Sequence, residues 1–461
     1  MSGLAMLARS MGAIVTGEDR EASELTDALA AAGVPIALQT PGSLPADCDL
    51  LVSSAAVPAE HPARQLAVSR HLGVRTYAEF LGDLQRERTG ISVAGTHGKS
   101  TTSSLLGYLL AHAGLDPSVV VGATCSQLGG GFRTGAMTVP AGPLAGEPGF
   151  FVAEACEYTN SFHRHSPRFG LVNNIEADHL DFFADLNAVI DAFAGFARRL
   201  PSARDGGRLL IASQGAFAER VTADATCDTR TFGTDDAAHY RVSWSPSTRT
   251  VAVHEGSIEV LSWHPSLPGA HNRLNAAAAG ILALWAGASR AAVEEGLATF
   301  AGVDRRMQRL GTYATRDGGT AVVVDDYGHH PTECRLSLQA LREHYQPRRL
   351  YCVFQPHQHS RTRFLLEDFA RSFHAADRVL LPDIYFVRDS ESERQLVSAR
   401  DLVDRIRALG GSAAYTAPFS LATSTLMDEL RDGDVVVTMG AGPVFKVARA
   451  LLAGSPADAD R

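Results

Sequence analysis

At 461 residues the chain is longer than one hydrophobic core organises, and at about 150 residues per domain it reads as roughly three domains. A hydrophobic share of 45%, a charged share of 20% and a net charge of −9 are ordinary globular values; they argue against nucleic-acid or membrane partners and for small molecules. The six cysteines form no C-x-x-C pair, and no window approaches about 18 apolar residues, so the chain reads as a protein of a reducing cytoplasm, neither exported nor inserted.

In chain order, short β-branched runs alternate with longer helical stretches, which predicts an α/β fold of parallel sheets with crossover helices. The run "GAIV" leads into Thr16, Glu18 and Asp19, and "LLV" leads into Ser53 and Ser54. A charged stretch, "GDLQRERTG" at 82–90, reads as a connector. Then "ISVAG" enters a glycine turn, "FFVA" runs into Glu154 and Glu157, and "LVNNI" into Glu176, Asp178 and His179. Alternating stretches between 227 and 263 predict short antiparallel strands inserted in the central part. After a break at "AGVDRR", "AVVV" leads into Asp325, Asp326, His329 and His330, and "LYCVF" into Gln355, His357 and His359. The breaks divide the chain at 1–88, 89–303 and 304–461, with a disordered tail "GSPADADR". Ligands in open α/β sheets bind beyond the carboxyl ends of strands, so polar groups collected there are placed for chemistry.

The segment "AGTHGKSTT" carries the sharpest signal. A strand, a glycine turn and a helix opening on Lys-Ser-Thr-Thr are the parts of a phosphate cradle, in which backbone N–H groups face the anion, the lysine neutralises it and a hydroxyl reaches magnesium. Its spacing, G-x-x-G-K-S from Gly95 to Ser100, is two residues shorter than the common P-loop. Of 42 basic residues only Lys99 and Lys446 are lysines, so a chain that uses arginine elsewhere keeps a compact ammonium here. The following helix predicts a stop at Gly114. Glu154, Asp178 and His179 are candidate magnesium ligands, while Glu157 and Asp181 stand open between that role and helix capping or a solvated turn. Asn272 and Asn275 lie at helical i, i+3 spacing, suited to an adenine edge or to capping, and Arg305 and Arg306 suit a transferring phosphoryl group.

Together these segments resemble the Mur ligase family, and most closely its alanine-adding members. The resemblance covers nearly the whole chain: "GTHGKSTT" resembles the family's ATP loop, "EACEYTNSF" and "NNIEADHLD" its metal segments, "GAHNRLNAAAA" its adenine segment, and "DDYGHHPTE" with "FQPHQHSRTR" its C-terminal domain. It implies an N-terminal Rossmann-like UDP-binding domain, a central P-loop-type ATPase domain and a C-terminal Rossmann-like domain. The implied reaction is ATP-dependent ligation of L-alanine to the lactyl carboxylate of UDP-N-acetylmuramate through an acyl phosphate, in peptidoglycan precursor synthesis. Within the ATP loop of Gly95, Thr96, His97, Gly98, Lys99, Ser100 and Thr101, Lys99 would hold the β- and γ-phosphates. Ser100 or Thr101 with Glu154 would bind one magnesium ion, and His179 a second. Asn272, with Asn275 beside it, would meet adenine, Asp326 the ribose and Arg306 the γ-phosphate. Tyr327, His357 and Arg361 would enclose the amino acid. Of His329 and His330 one would help that pocket, and His357 or His330 would be the base that deprotonates the incoming amine. The carbamoylated lysine of sibling ligases has no counterpart, because no lysine lies between Asp178 and Pro201.

Two rival readings are a ligase of preformed murein peptides and, from another class, a metal-dependent hydrolase built on "DHLD", "GHH" and "HQH", which leaves Lys99 without a purpose. A nucleotide-binding protein without turnover is a third, opposed by the intact Lys99, Glu154, His179 and Arg306. The family opens with a strand and a G-x-G-G-x-G-M-S-G-L-A turn at the UDP diphosphate. This chain begins at "MSGLA", so the expectation is a misassigned start that cuts the first strand and glycine loop, leaving Asp19, Ser53 and Ser54 as the UDP contacts.

Overall fold

Runs such as Ile91–Ala94 and Val435–Met439 are apolar but for one small hydroxyl residue each, Ser92 and Thr438, and are buried at every position, the pattern of strands covered on both faces. In the computed structural model, which describes residues 1–38, 42–54, 56–179, 182–387 and 389–460, they are central strands of two large sheets. The described strands are β1 (Gly17–Asp19), β2 (Ile36–Leu38), β3 (Leu50–Ser53), β4 (Gly73–Thr76), β5 (Thr89–Ala94), β6 (Ser118–Cys125), β7 (Gly130–Arg133), β8 (Phe150–Glu154), β9 (Phe169–Val172) and β10 (Arg208–Ala212). They continue with β11 (Asp228–Gly233), β12 (Tyr240–Ser245), β13 (Thr250–Glu255), β14 (Ile258–Trp263), β15 (Gln308–Ala314), β16 (Thr320–Asp326), β17 (Leu350–Phe354), β18 (Arg378–Leu381), β19 (Ala413–Tyr415) and β20 (Val435–Met439). Among these, β1 pairs with β2 and β3 with β4, both parallel.

The chain forms two compact units, one of residues 1–266 and 274–301 and the other of 267–273 and 302–461. In the first, the large sheet runs β14-β13-β12-β11-β10-β9-β5-β8-β6-β7. It is parallel from β12 to β6, with antiparallel β13 and β14 at one end and β7 at the other. The stretch read as an antiparallel insertion therefore extends the central sheet, and its first strand, β11, is parallel to both neighbours. In the second unit the order is β15-β16-β20-β17-β18-β19, parallel except for β15. Side-chain alternation gives it two cores: Leu350, Cys352 and Phe354 belong to one, Tyr351 and Val353 to the other.

Three local expectations change. "GAIV" is not a strand: pairing starts only at Gly17, and Ile14 is 94% exposed. The stretch 82–90 is a helix to Arg86 and strand from Thr89, and Gln85 within it is fully buried. The tail forms a turn of 3-10 helix over Pro456–Asp460, where Ala459 is buried and Asp460 Oδ1 accepts the Ser420 N–H at 3.1 Å. The first residues form a helix, Ser2–Ser10, that buries Leu4 and Leu7 with Leu81, Val120, Phe151 and Ala153.

Candidate active site

The strand order sets the site, because β5 lies between β9 and β8 and the loop leaving it is flanked by the segments leaving both. The loop ends at Gly98, with φ +81°, and the helix Lys99–His112 begins there, aiming its first N–H groups back at the turn. A Cβ on Gly98 would lie 2.5 Å from Asn275 Oδ1, so glycine is required both by conformation and by space. The helix stops at Gly114, φ +73°, as its sequence predicts.

On the β9 side, side-chain amides fix the loop's shape. Asn174 Oδ1 accepts the His97 N–H at 2.7 Å while its Nδ2 donates to the His97 carbonyl at 3.1 Å, so one amide holds both backbone polar groups of a single residue. The Thr96 N–H donates to the Asn174 carbonyl at 3.0 Å, and the Glu176 N–H to Thr96 Oγ1 at 2.9 Å. Beneath the loop, buried Asn173 donates to Thr102 Oγ1 at 3.0 Å and to Asn275 Oδ1 at 3.4 Å. Sequence reasoning passed over both asparagines, whose only signal was two adjacent amides at a strand end.

On the β8 side stand the charges. The Ser100 hydroxyl donates to both Glu154 carboxylate oxygens at 3.1 Å, and the Gly122 N–H donates to Glu154 Oε2 at 2.9 Å. A hydroxyl and a carboxylate together are hard oxygen donors of the kind magnesium takes. Lys99 Nζ donates to Gly95 O at 2.6 Å, Thr96 O at 3.0 Å and Glu157 Oε2 at 2.9 Å. Glu157 stands at the N-cap position of the turn Tyr158–Arg164, but its side chain makes no capping hydrogen bond and is not solvated: it is 2% exposed and its partner is the loop lysine. Burial disfavours the charged lysine, but the carboxylate of Glu157, with Cys156 and Glu154 near it, outweighs burial and holds the ammonium above its ordinary range. His179 adopts φ +54°, its N–H donates to Asp178 Oδ1 at 2.7 Å and its ring centroid is 4.6 Å from that of Tyr158. Asp181 lies outside the described residues. Thr101 is buried on the helix, Asp19 is exposed on β1, and at the end of β3 Ser53 is buried beside half-exposed Ser54.

The remaining predicted residues belong to the second unit, except Asn275. Asn272, buried one turn before it on the helix Ala270–Trp285, donates to Pro268 O at 2.8 Å. At the end of β16, Asp326 accepts N–H groups from Met307 and Gly328 at 2.9 and 2.6 Å; burial pushes its carboxyl up to about 6 despite Arg306. Beyond it runs a row of rings: Tyr327 to His329 at 5.4 Å, His329 to His357 at 5.9 Å, and His357 to Tyr385 at 5.8 Å. Tyr385 was not anticipated. His330 Nδ1 accepts the Thr332 N–H and caps the helix Pro331–Tyr345, so that nitrogen is spent on structure. Arg361 is half-buried on the helix His359–Phe364.

A parallel α/β sheet with a glycine loop, a lysine and a hydroxyl–carboxylate pair at its carboxyl ends defines a nucleotide-binding enzyme class. The comparison with known proteins narrows it: residues 1–89, 93–283 and 305–442 match the Mur ligase family catalytic domain, middle domain and glutamate ligase domain, and the chain belongs to the Mur ligase family. It is 36% identical over 457 residues to the UDP-N-acetylmuramate–L-alanine ligase of Clostridium novyi, covering 98% of this chain and 94% of that protein. It is equally identical to the Chromobacterium violaceum protein of the same name, over 97% of this chain and 94% of that one. Among solved structures, the Thermotoga maritima UDP-N-acetylmuramate-alanine ligase matches with a TM-score of 0.77 and 25% identity, over 98% of this chain and 96% of that chain. The fold is shared with a Psychrobacter arcticus murein peptide ligase, at a TM-score of 0.70 and 24% identity, over 100% of this chain and 96% of that one.

Proposed function

We propose that the chain is an ATP-dependent amide ligase that joins L-alanine to the lactyl carboxylate of UDP-N-acetylmuramate, releasing ADP and phosphate, in peptidoglycan precursor synthesis. The observation that carries this reading is the Lys99, Ser100 and Glu154 constellation at the ends of β5 and β8, in a chain aligned over 98% of its length with a ligase named for that reaction. A carboxylate does not acylate an amine directly, because its leaving group would be oxide. The γ-phosphoryl group of ATP first passes to the carboxylate oxygen, giving an acyl phosphate; the amine then attacks and phosphate leaves. Holding both reactants in register is worth up to about 7–11 kcal/mol.

Residues 89–303 take ATP in this reading, with Lys99 neutralising the β- and γ-phosphates. Residues 1–88, including Asp19, Ser53 and Ser54, take the UDP-sugar, and residues 304–461 take the amino acid. Asn272 meets adenine, Asp326 the ribose and Arg306 the γ-phosphate. Tyr327, His357 and Arg361 receive alanine, Arg361 through a bidentate pair with its carboxylate. With one His330 nitrogen committed to a cap, His357 is the favoured acceptor for the amine's proton. Magnesium, for which Ser100 and Glu154 are fitting donors with His179 for a second ion, would supply screening between the carboxylate and the γ-phosphate.

The test is ADP release by the purified chain with ATP, magnesium, UDP-N-acetylmuramate and an amino acid. Release is expected only when all are present and with L-alanine favoured. ADP release that needs no amino acid would sink the ligase reading, and a preference for a preformed murein peptide would move it to the recycling reaction.

A further inference from the structure

The three N–H bonds of the Lys99 ammonium are all engaged within the chain: two by the loop's own carbonyls, Gly95 and Thr96, and the third by Glu157, whose oxygens lie at 2.9 and 3.3 Å. To donate to a phosphate, Lys99 must surrender one of these acceptors. The carbonyls belong to the loop and move with it. Glu157 comes from the neighbouring strand's exit, carries a full negative charge and repels the incoming anion. It is also the acceptor whose exchange for phosphate leaves the ammonium neutralised throughout.

We propose that Glu157 is a positioning residue of the phosphate loop: it holds the Lys99 ammonium in place when the loop is empty, competes with the nucleotide's phosphates for it, and reclaims it when product leaves. The inference rests on the reading of Gly95–Ser100 as the ATP loop. The pair is buried, with side-chain exposures of 13% and 2%, so it is not a screened surface contact of little consequence. The backbone after Glu157 carries strain of the kind found at working sites, since Thr159 and Asn160 both adopt left-handed conformations, φ +53° and +55°, inside the turn Tyr158–Arg164. Among the described residues Asn160 Oδ1 is buried without a hydrogen-bond partner, so the segment that presents Glu157 is not fully satisfied in this arrangement.

The consequence has an unusual sign. A residue that supported nucleotide binding structurally would weaken binding when replaced, whereas a competitor strengthens it. Removing the carboxylate leaves an ammonium buried against two carbonyls, which raises the empty state in free energy and leaves the phosphate-bound state nearly untouched. Glu157→Gln should therefore bind ADP and inorganic pyrophosphate about tenfold tighter than wild type in calorimetric titration with divalent ions chelated. Its KM for ATP and its kcat should fall together, as release slows. In a Lys99→Met background the same Glu157→Gln change should alter ADP affinity less than about twofold, because the effect runs through the ammonium. If Glu157→Gln does not fold, Glu157→Asp, which draws the charge back by one methylene, is held to the same criteria. Equal or weaker ADP binding by the folded variant overturns the inference, and so does a tenfold gain that survives Lys99→Met. A wild-type chain that binds neither ADP nor pyrophosphate fails at the earlier step and removes the ATP-loop reading itself.

Discussion

Arg305 and Arg306 are adjacent, equally exposed and both lie over the Tyr327 ring, yet their polar partners differ. Arg305 Nε lies 3.0 Å from Asp325 Oδ2, on a side chain only 2% exposed, and its guanidinium also donates to the carbonyls of Gly440 and Gly442. Arg306 makes a looser contact, 3.6 Å to Glu333, and stacks over Tyr327 at 5.0 Å. Arg305→Ala should therefore cost about 3–5 kcal/mol in urea unfolding by stranding a buried carboxylate. Arg306→Ala should stay within about 1 kcal/mol of wild type yet lower kcat, and the reverse ranking would refute the assignment. His165 gives a second residue-level expectation. It is buried, its Nδ1 lies 2.9 Å from Ser92 Oγ, and Gln85 donates to the same hydroxyl at 3.0 Å. Burial lowers its pKa from 6.5 to about 4. A base whose folded value is depressed contributes stability that is fully present above pH 6.5 and is lost as pH falls through about 4, at most about 3 kcal/mol. His165→Gln should flatten the stability profile across that window; an unchanged slope would clear His165.

At the scale of the element, the phosphate loop and its helix were legible because turn chemistry is local: a left-handed residue before a helix calls for glycine, and so does its stop at Gly114. Gly98→Ala joins a φ of +81° to a Cβ only 2.5 Å from Asn275 Oδ1. It should introduce about 1–3 kcal/mol of strain and lower ADP affinity at least about tenfold while the chain stays folded. Undiminished affinity in titration would show that the loop relaxes freely. What misled was of the opposite kind. "GAIV" has strand composition, but a strand exists only where a partner's ladder meets it, and pairing begins at Gly17. The polar tail reads as disordered, yet Ala459 finds a buried place and Asp460 an N–H to accept. Glu157 stood open between a magnesium ligand and a cap or solvated turn residue, because its place after a strand does not reveal that its partner is Lys99.

For the whole molecule, each unit has hydrophobic core of its own, so unfolding should not be a single two-state event. Scanning calorimetry should resolve more than one transition, with ADP raising the one that belongs to the unit holding Lys99; a single transition whose calorimetric and van't Hoff enthalpies agree would contradict this. By itself the sequence determined the α/β class, the glycine loop at Gly95–Ser100 and the types of residue gathered at strand ends, because each follows from local spacing or from composition, and its motifs in order carried the resemblance to the family. Only the tertiary structure decided that β5 lies between β8 and β9, and hence that Glu157 takes the lysine, Asn174 grips the loop and Arg305 rather than Arg306 is locked in place. Those pairings join residues 20 to 137 positions apart, and the partner of a charged or amide side chain is set by distance through space, which spacing along the chain does not encode.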